Sequence, residues 1–303
     1  MAVNTVQVII NGTTHTLEYN SEAGLWEKEV TAPTSSSYNV NSGHYYPITV
    51  KATDDAGNTD VVNDTNSALG ESCKLHVKET TKPVISITSP TEDELTTDSK
   101  PIVTWNVTDA DSGVDPDTIG ITINNGGKIT SGITKTAITG GYKCTYAITA
   151  DLPDGTNAIK CDADDFDGNS AIQRSVTFIV DTVPPSLSVT QPVNNLITNK
   201  ESVTVAGTAS DTTSPPVTVT VKLNNGTEQN VTVGSNGAFS TTLTLSEGTN
   251  TIVITAEDAA GKISAVTRTV TLDTKAPVIS EITIPDIVQV GEVFKISVKV
   301  TDQ

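Results

Sequence analysis

The sequence predicts an all-β fold: β-sandwich domains in tandem, drawn out into an elongated rod. Three observations predict it. Apolar and polar residues alternate in many short stretches, as in "GEVFKISVKVTDQ" (291–303), where Phe294, Ile296, Val298 and Val300 alternate with Lys295, Ser297 and Lys299. Period-two alternation marks a strand with one buried face. Several such stretches run straight into Asn-Gly, the strongest short-range hairpin signal. The whole pattern recurs about every 100 residues, the size of one sandwich domain.

Composition agrees. Thr, Val, Ile, Ser and Asn dominate the 303 residues, with 21 Gly, 14 Pro and a single Met. Such a mixture favours strands and turns over helices. No run of 18 apolar residues occurs, so membrane insertion is not expected. The net charge is −18, from 18 basic and 36 acidic residues, and only Arg174 and Arg268 are arginines. A phosphate backbone needs clustered Lys and Arg, so nucleic acid is not an expected partner. The charge reads either as a self-repelling, soluble surface or as loop carboxylates that bind calcium. Three cysteines are too few for a disulfide scaffold. The opening "MAVNTVQVIING" has no basic n-region or apolar h-region. The expectation is either a leader already removed or a protein that reaches the outside without one, as virion proteins released by lysis do.

The units follow in order. "ETTKPVIS", "DTVPPSLS" and "DTKAPVIS" each open one, with Pro83, Pro185 and Pro277 spaced 102 and 92 residues apart. Within unit two the strands are "VISITSP", "PIVTWNVTD" and "TIGITINN", and unit three repeats them as "SLSVTQP", "SVTVAGTASD" and "VTVTVKLNN". "LPDGTNAIKCDADDFDGNS" (152–170) matches "LSEGTNTIVITAEDAAGKI" (245–263) and "HYYPITVKATDDAGNTD" (44–60). Each holds a strand, an acidic turn and a turn glycine: Gly168, Gly261 or Gly57. The predicted domains are 1–82, 83–182, 183–275 and 276–303.

The linker "DT-x-x-P", the "DGTN/EGTN" turn and the "ATDDAGN"-type loop resemble those of tandem bacterial immunoglobulin-like (Big-type) domains, over essentially the whole chain. The resemblance implies immunoglobulin-like sandwiches. Such modules occur in surface adhesins, on phage virions and as spacers in enzymes. No Cys…Trp…Cys pattern of antibody domains is present. Trp105 lies on the second strand of its unit, where Val205 and Val298 occupy or neighbour the equivalent site.

Units one and four are fragments. "VNTVQVIING" aligns with "PDTIGITINN", the third strand, so unit one lacks the first two. Unit four supplies only those two, "VISEITI" and "FKISVKVTD". The expectation is strand complementation between molecules. Donor strands carry Ile279, Ile282, Phe294, Ile296, Val298 and Val300. The acceptor offers Val6, Val8, Ile10, Ile48, Val50 and Ala52. Such a head-to-tail contact propagates into a filament. The function expected is therefore an extracellular structural subunit that polymerises with itself. The alternatives are a virion protein adhering to a host surface or glycan, and a non-catalytic spacer of a secreted enzyme.

Other candidates are weighed beside plainer readings. Asp109, Asp111, Asp115, Asp164 and Asp165, with the linker residues Asp181 and Asp273, suit Ca2+ in their density of oxygens. The resemblance places such an ion where one domain meets the next; the plainer reading is Asx-turns capping loops. No EF-hand spacing occurs, and calcium is the one cofactor considered. Cys144 and Cys161 share the inward phase, as a disulfide in an oxidising compartment or as buried thiols, the commoner state. Tyr38, Tyr45 and Tyr46 sit on a loop unique to unit one, as a recognition surface or as plugs of the sandwich end. No nucleophile motif, His/Cys ligand spacing or phosphate loop appears, so no catalysis is expected.

Overall fold

The computed structural model describes residues 2–302. Strands dominate, and the only helix among the described residues is a 3₁₀ turn, Gly70–Cys73. None is long and apolar enough to cross a membrane. The chain divides into two compact units, Met1–Glu94 with Ser99–Phe178, and Leu95–Asp98 with Ile179–Gln303.

In the first unit, residues from Val84 onward build a two-layer sandwich. One sheet runs Thr134–Ile138, Gly141–Ala147, Ile102–Thr108, Val84–Ser89, antiparallel throughout. The facing sheet contains Gly120–Ile123, Gly155–Asp162 and Arg174–Val180. Alternation places one face of each strand inside, so Val103, Trp105 and Val107 meet Ile121, Ile159 and Cys161 in a core from which solvent is excluded. Trp105 pairs across the ladder with Cys144, a large residue beside a small one.

Residues ahead of Val84 build one sheet, in the order Thr13–Thr16, Val3–Ile10, Tyr46–Asp54, Thr59–Val62, with Lys74–Leu75 also on Tyr46–Asp54. Its register repeats that of the following sandwich: Val8 faces Val50 and Ile10 faces Ile48, as Ile121 faces Cys161 and Ile123 faces Ile159. The remaining strands described here are a short hairpin, Glu18–Asn20 with Leu25–Glu27.

In the second unit, Ser186–Gln191, Ser202–Ser210 and Ala238–Thr244 face a sheet ordered Leu196–Thr198, Ile263–Leu272, Gly248–Glu257, Thr218–Leu223, Gln229–Val231. Gly207 occupies the place of Trp105 and pairs with Phe239. A Cβ on Gly207 would lie 2.1 Å from the Ser188 carbonyl and 2.8 Å from the Phe239 ring. The bulk has moved to the neighbouring strand and filled the same space. Val205, expected at or beside the Trp105 site, is the position equivalent to Val103.

The sequence motifs have local causes. Asn11, Asn124 and Asn224 adopt positive φ of 46°, 52° and 52°, a conformation Asn tolerates best after Gly. The Asn of "DGTN/EGTN" is buried. Asn157 Nδ2 donates to the Pro153 and Gly155 carbonyls, and Asn250 Nδ2 to those of Ser246 and Gly248. Each Asn side-chain oxygen accepts from the Asn that opens the hairpin turn, Asn124 or Asn224. The two motifs are thus halves of one hydrogen-bonded device.

The last strands, Val278–Thr283 and Ser297–Thr301, pair only with each other. The second was expected to begin at Phe294. The ladder stops at the Thr283–Ser297 pair because Pro285 follows closely and has no N–H to continue it.

Candidate assembly surfaces and carboxylate clusters

The hairpin 278–301 repeats the first two strands of a sandwich. Ile279 faces Val300 as Ile85 faces Val107 and Leu187 faces Ala209, and all three ladders carry one register shift. The environment differs completely. Ile85, Val103 and Val107 are buried at 4% exposure or less, whereas Ile279, Ile282, Phe294, Ile296, Val298 and Val300 are 46–62% exposed. At the other end, Val6 and Ile10 are buried, while Val8, Ile48, Val50 and Ala52 are half-buried. Their counterparts Ile121, Ile159 and Cys161 are at 0%. Both surfaces therefore keep apolar area in water that the complete sandwiches hide.

The tyrosines of 35–47 are committed to packing. Tyr38 is stacked between His44 and Phe166, with ring centroids 4.0 and 4.1 Å away. The Tyr45 hydroxyl donates to Asp64 Oδ2 at 2.9 Å, which raises its pKa, and Lys74 Nζ lies 5.2 Å above its ring. The Tyr46 hydroxyl donates to the Ser35 carbonyl at 3.3 Å. The loop also grips the next sandwich: the Ser36 N–H donates to both carboxylate oxygens of Asp111, and Asn39 Nδ2 to its carbonyl.

Asp109 and Asp165 come together with a residue the sequence reading did not single out, Glu79. One carboxylate oxygen of each lies within 4.8 Å of the other two. In the second unit Asp181 forms the same arrangement with Asp211 and Asp258, again residues not singled out. Every member has one position in the repeat. Glu79 and Asp181 open the linker, Asp109 and Asp211 end the second strand, and Asp165 and Asp258 sit in the acidic turn. The repeat register, rather than local acidic density, is the signal that finds them.

The loops are shaped around these side chains. Asp109 Oδ1 accepts the N–H groups of Asp111 and Gly113, and Asp211 Oδ1 those of Thr213 and Ser214. Asp165 Oδ1 accepts from the Asn169 N–H, and Asp258 Oδ1 from that of Lys262. Asp181 accepts from the Val183 N–H and the Ser214 hydroxyl. Two atoms are left over: Asp109 Oδ2 and Asp258 Oδ2 are buried with no hydrogen-bond partner. Burial, together with the Asp165 and Asp109 carboxylates, raises the pKa of Glu79. The other acidic candidates serve elsewhere: Asp111 on Ser36, Asp115 capping the Asp117 N–H, Asp164 with its N–H donated to the Thr118 hydroxyl, and Asp273 capping the Lys275 N–H.

Cys144 and Cys161 are buried on facing sheets and stand as free thiols rather than as the disulfide considered above. They fill the core as small apolar groups beside Trp105 and Ile121. Burial pushes their pKa values from 9.0 to about 11 and about 12. An unfolded thiol loses its proton first, so stability is full below about pH 9 and falls as pH rises toward those values. Urea unfolding between pH 8 and about pH 11 is expected to show that decline, and Cys161→Ala to lose part of it.

The comparisons with known proteins follow. The family model described as "Glucodextranase, domain B" matches residues 185–274. Bacillopeptidase F of Bacillus subtilis (strain 168) is 30% identical over 197 residues, which is 65% of this chain and 12% of that protein. Among solved structures, the fibronectin(III)-like modules of Clostridium thermocellum CbhA are similar at 17% identity and a TM-score of 0.34, over 62% of this chain and 94% of theirs. Immunoglobulin domains 1–5 of Sidekick-1 are similar at 12% identity and a TM-score of 0.40, over 99% of this chain and 60% of theirs. On its own strand pairing, the chain is a tandem of immunoglobulin-like β-sandwich domains.

Proposed function

We propose that this is an extracellular structural protein that assembles head to tail, the hairpin 278–301 of one copy completing the head of the next. One observation carries the reading. The complete sandwich has a sheet ordered 134–138, 141–147, 102–108, 84–89. The head has the counterpart of its first two strands, 18–20 and 25–27, and the tail has the counterpart of its last two, 297–301 and 278–283. Placed side by side, they make the same four-stranded sheet, and its apolar face covers Val6, Val8, Ile10, Ile48, Val50 and Ala52. The edges left open in the separate copies are closed in the joint. The reading includes no catalysis, no nucleic-acid partner and no membrane insertion. A virion or cell-surface setting, with adhesion to glycans, is compatible with it.

A second reading is a spacer module within a larger secreted enzyme. It is favoured by the match to a piece making up 12% of a peptidase and to a glucodextranase domain. Light scattering separates the two. Under the first reading the mass of the 303-residue chain rises with concentration, electron microscopy shows linear particles, and excess peptide 276–303 shortens them by capping heads. A chain that stays monomeric at its highest soluble concentration leaves only the spacer.

A further inference from the structure

Both complete sandwiches fill one place in the core with a single large ring. In the middle sandwich the ring is Trp105, on the second strand, and Cys144 across the ladder is small. In the next sandwich Gly207 stands at the Trp105 place, and Phe239 across the ladder supplies the ring. Both rings are at 3% exposure or less. A Cβ on Gly207 would already lie 2.8 Å from Phe239, so the place takes one ring and not two. The tail brings no ring there. It offers Val298, which Ile282 faces as Ile87 faces Trp105.

The head holds a ring that its own chain leaves uncovered. Trp26 follows Gly24 by two residues, as Phe239 follows Gly237, and both glycines have positive φ, 67° and 78°. "AGLW" (23–26) thus repeats "NGAF" (236–239). Trp26 is only half-buried. Tyr19, across the ladder from it, is 57% exposed, with ring centroids 5.5 Å apart. The two rings line a cleft of about 410 Å3 with Ala2 and Val3, and Val3 is itself 48% exposed. An indole left in water beside further apolar surface marks a contact still to be made.

We propose that Trp26 is the ring of the joint: it closes over Val298 of a second copy, in the register by which Phe239 covers Gly207. The proposal rests on the head-to-tail reading and adds to it the side-chain pair that sets the register. A slip of one residue would turn every side chain to the wrong face. A slip of two is the real competitor. In the middle sandwich Tyr142 follows Gly140 by two residues and faces Val107, whose counterpart in the tail is Val300. That register suits a strand that carries its own ring at the Trp105 place. The tail does not, so pairing Trp26 with Val300 would leave a void beside Val298.

Exchanging the two side chains in the full chain tests the pair, with assembly followed by light scattering. Trp26→Ala empties the ring place and should weaken assembly about a hundredfold or more in Kd. Val298→Trp brings two rings to one place and should weaken it about ten- to a hundredfold. The double variant has one ring again, now on the tail as in the middle sandwich, and should return to within about tenfold of wild type. Val300→Trp should weaken assembly and gain nothing from Trp26→Ala. These positions lie outside the two complete sandwiches, so the melting of 83–275 should not change. Fluorescence gives a second readout. Trp26 and Trp105 are the two tryptophans, so in Trp105→Phe the emission comes from Trp26 and should shift to the blue on assembly. Assembly of wild type without rescue in the double variant overturns the pair and leaves the joint standing. Rescue at Val300 instead of Val298 overturns the register. A wild type that never assembles overturns the joint and the pair with it. A blue shift with mannotriose or cellotriose, and none on assembly, gives the cleft to a sugar and overturns the pair.

Discussion

On the proposed head-to-tail assembly, the Val298→Asp chain is expected to stay monomeric at concentrations where wild type forms filaments. Val298 holds the place of Trp105 on the second strand of a sandwich, a fully buried position there, yet in the free chain it is 50% exposed. The substitution therefore leaves the separate molecule almost untouched: its melting curve and circular dichroism should match wild type. In the joint it forfeits the burial of a valine and places an unpaired carboxylate between two sheets. The combined penalty is roughly 4–6 kcal/mol, about three to four orders of magnitude in Kd. Lys299→Ala, one residue along and on the opposite face of the strand, should assemble normally. Equal failure of both variants, or filaments from Val298→Asp, would rule out a joint made by the inward face of this strand.

Trp105→Ala removes the largest fully buried side chain of the middle sandwich. Truncating a buried Trp to Ala typically costs about 3–5 kcal/mol, a large share of the stability of one domain. Urea denaturation followed by circular dichroism should show an early transition for residues 83–182 and an unchanged one for 183–275. Trp105→Phe should cost far less than that. The indole Nε1 is buried without a hydrogen-bond partner, so Phe removes an unpaid donor along with some volume. If Phe destabilises as much as Ala, then Nε1 has a partner that offsets its burial, and the core is held differently from this account.

Much of the fold is legible in the sequence because its causes are local. Alternation marks strands, and Asn-Gly marks the turns where Asn11, Asn124 and Asn224 take positive φ. The repeat then orders the strands without any long-range information. What escapes is whatever two distant residues decide jointly. Gly207 with Phe239 replaces Trp105 with Cys144, and no single position reveals a trade of volume between strands. The carboxylates show the same limit. Asp111, Asp115 and Asp164 stand in dense acidic runs, but the fold spends Asp111 on Ser36, 75 residues away, and Asp115 on its own turn. Glu79 looks like an ordinary linker residue until the loops of the next domain close over it. For Tyr38, Tyr45 and Tyr46 the sequence leaves open a recognition surface or a plug of the sandwich end, and it is the folded contacts with Phe166, Asp64 and Ser35 that show them engaged in packing.

The hairpin 278–301 is already paired along its own ladder before any partner arrives. In the proposed head-to-tail joint, docking would therefore require no folding step and no lateral neighbours, only the meeting of two preformed edges, and each addition would be energetically the same as the one before it. Growth of that kind has no nucleation threshold: short oligomers are populated at low concentration, lengths are exponentially distributed, and the mean length rises with the square root of total protein. A linear particle built by that proposed joint would also keep one vacant head and one vacant tail, so a single molecule offering only one of those ends would be enough to set where the polymer is anchored and in which direction it points.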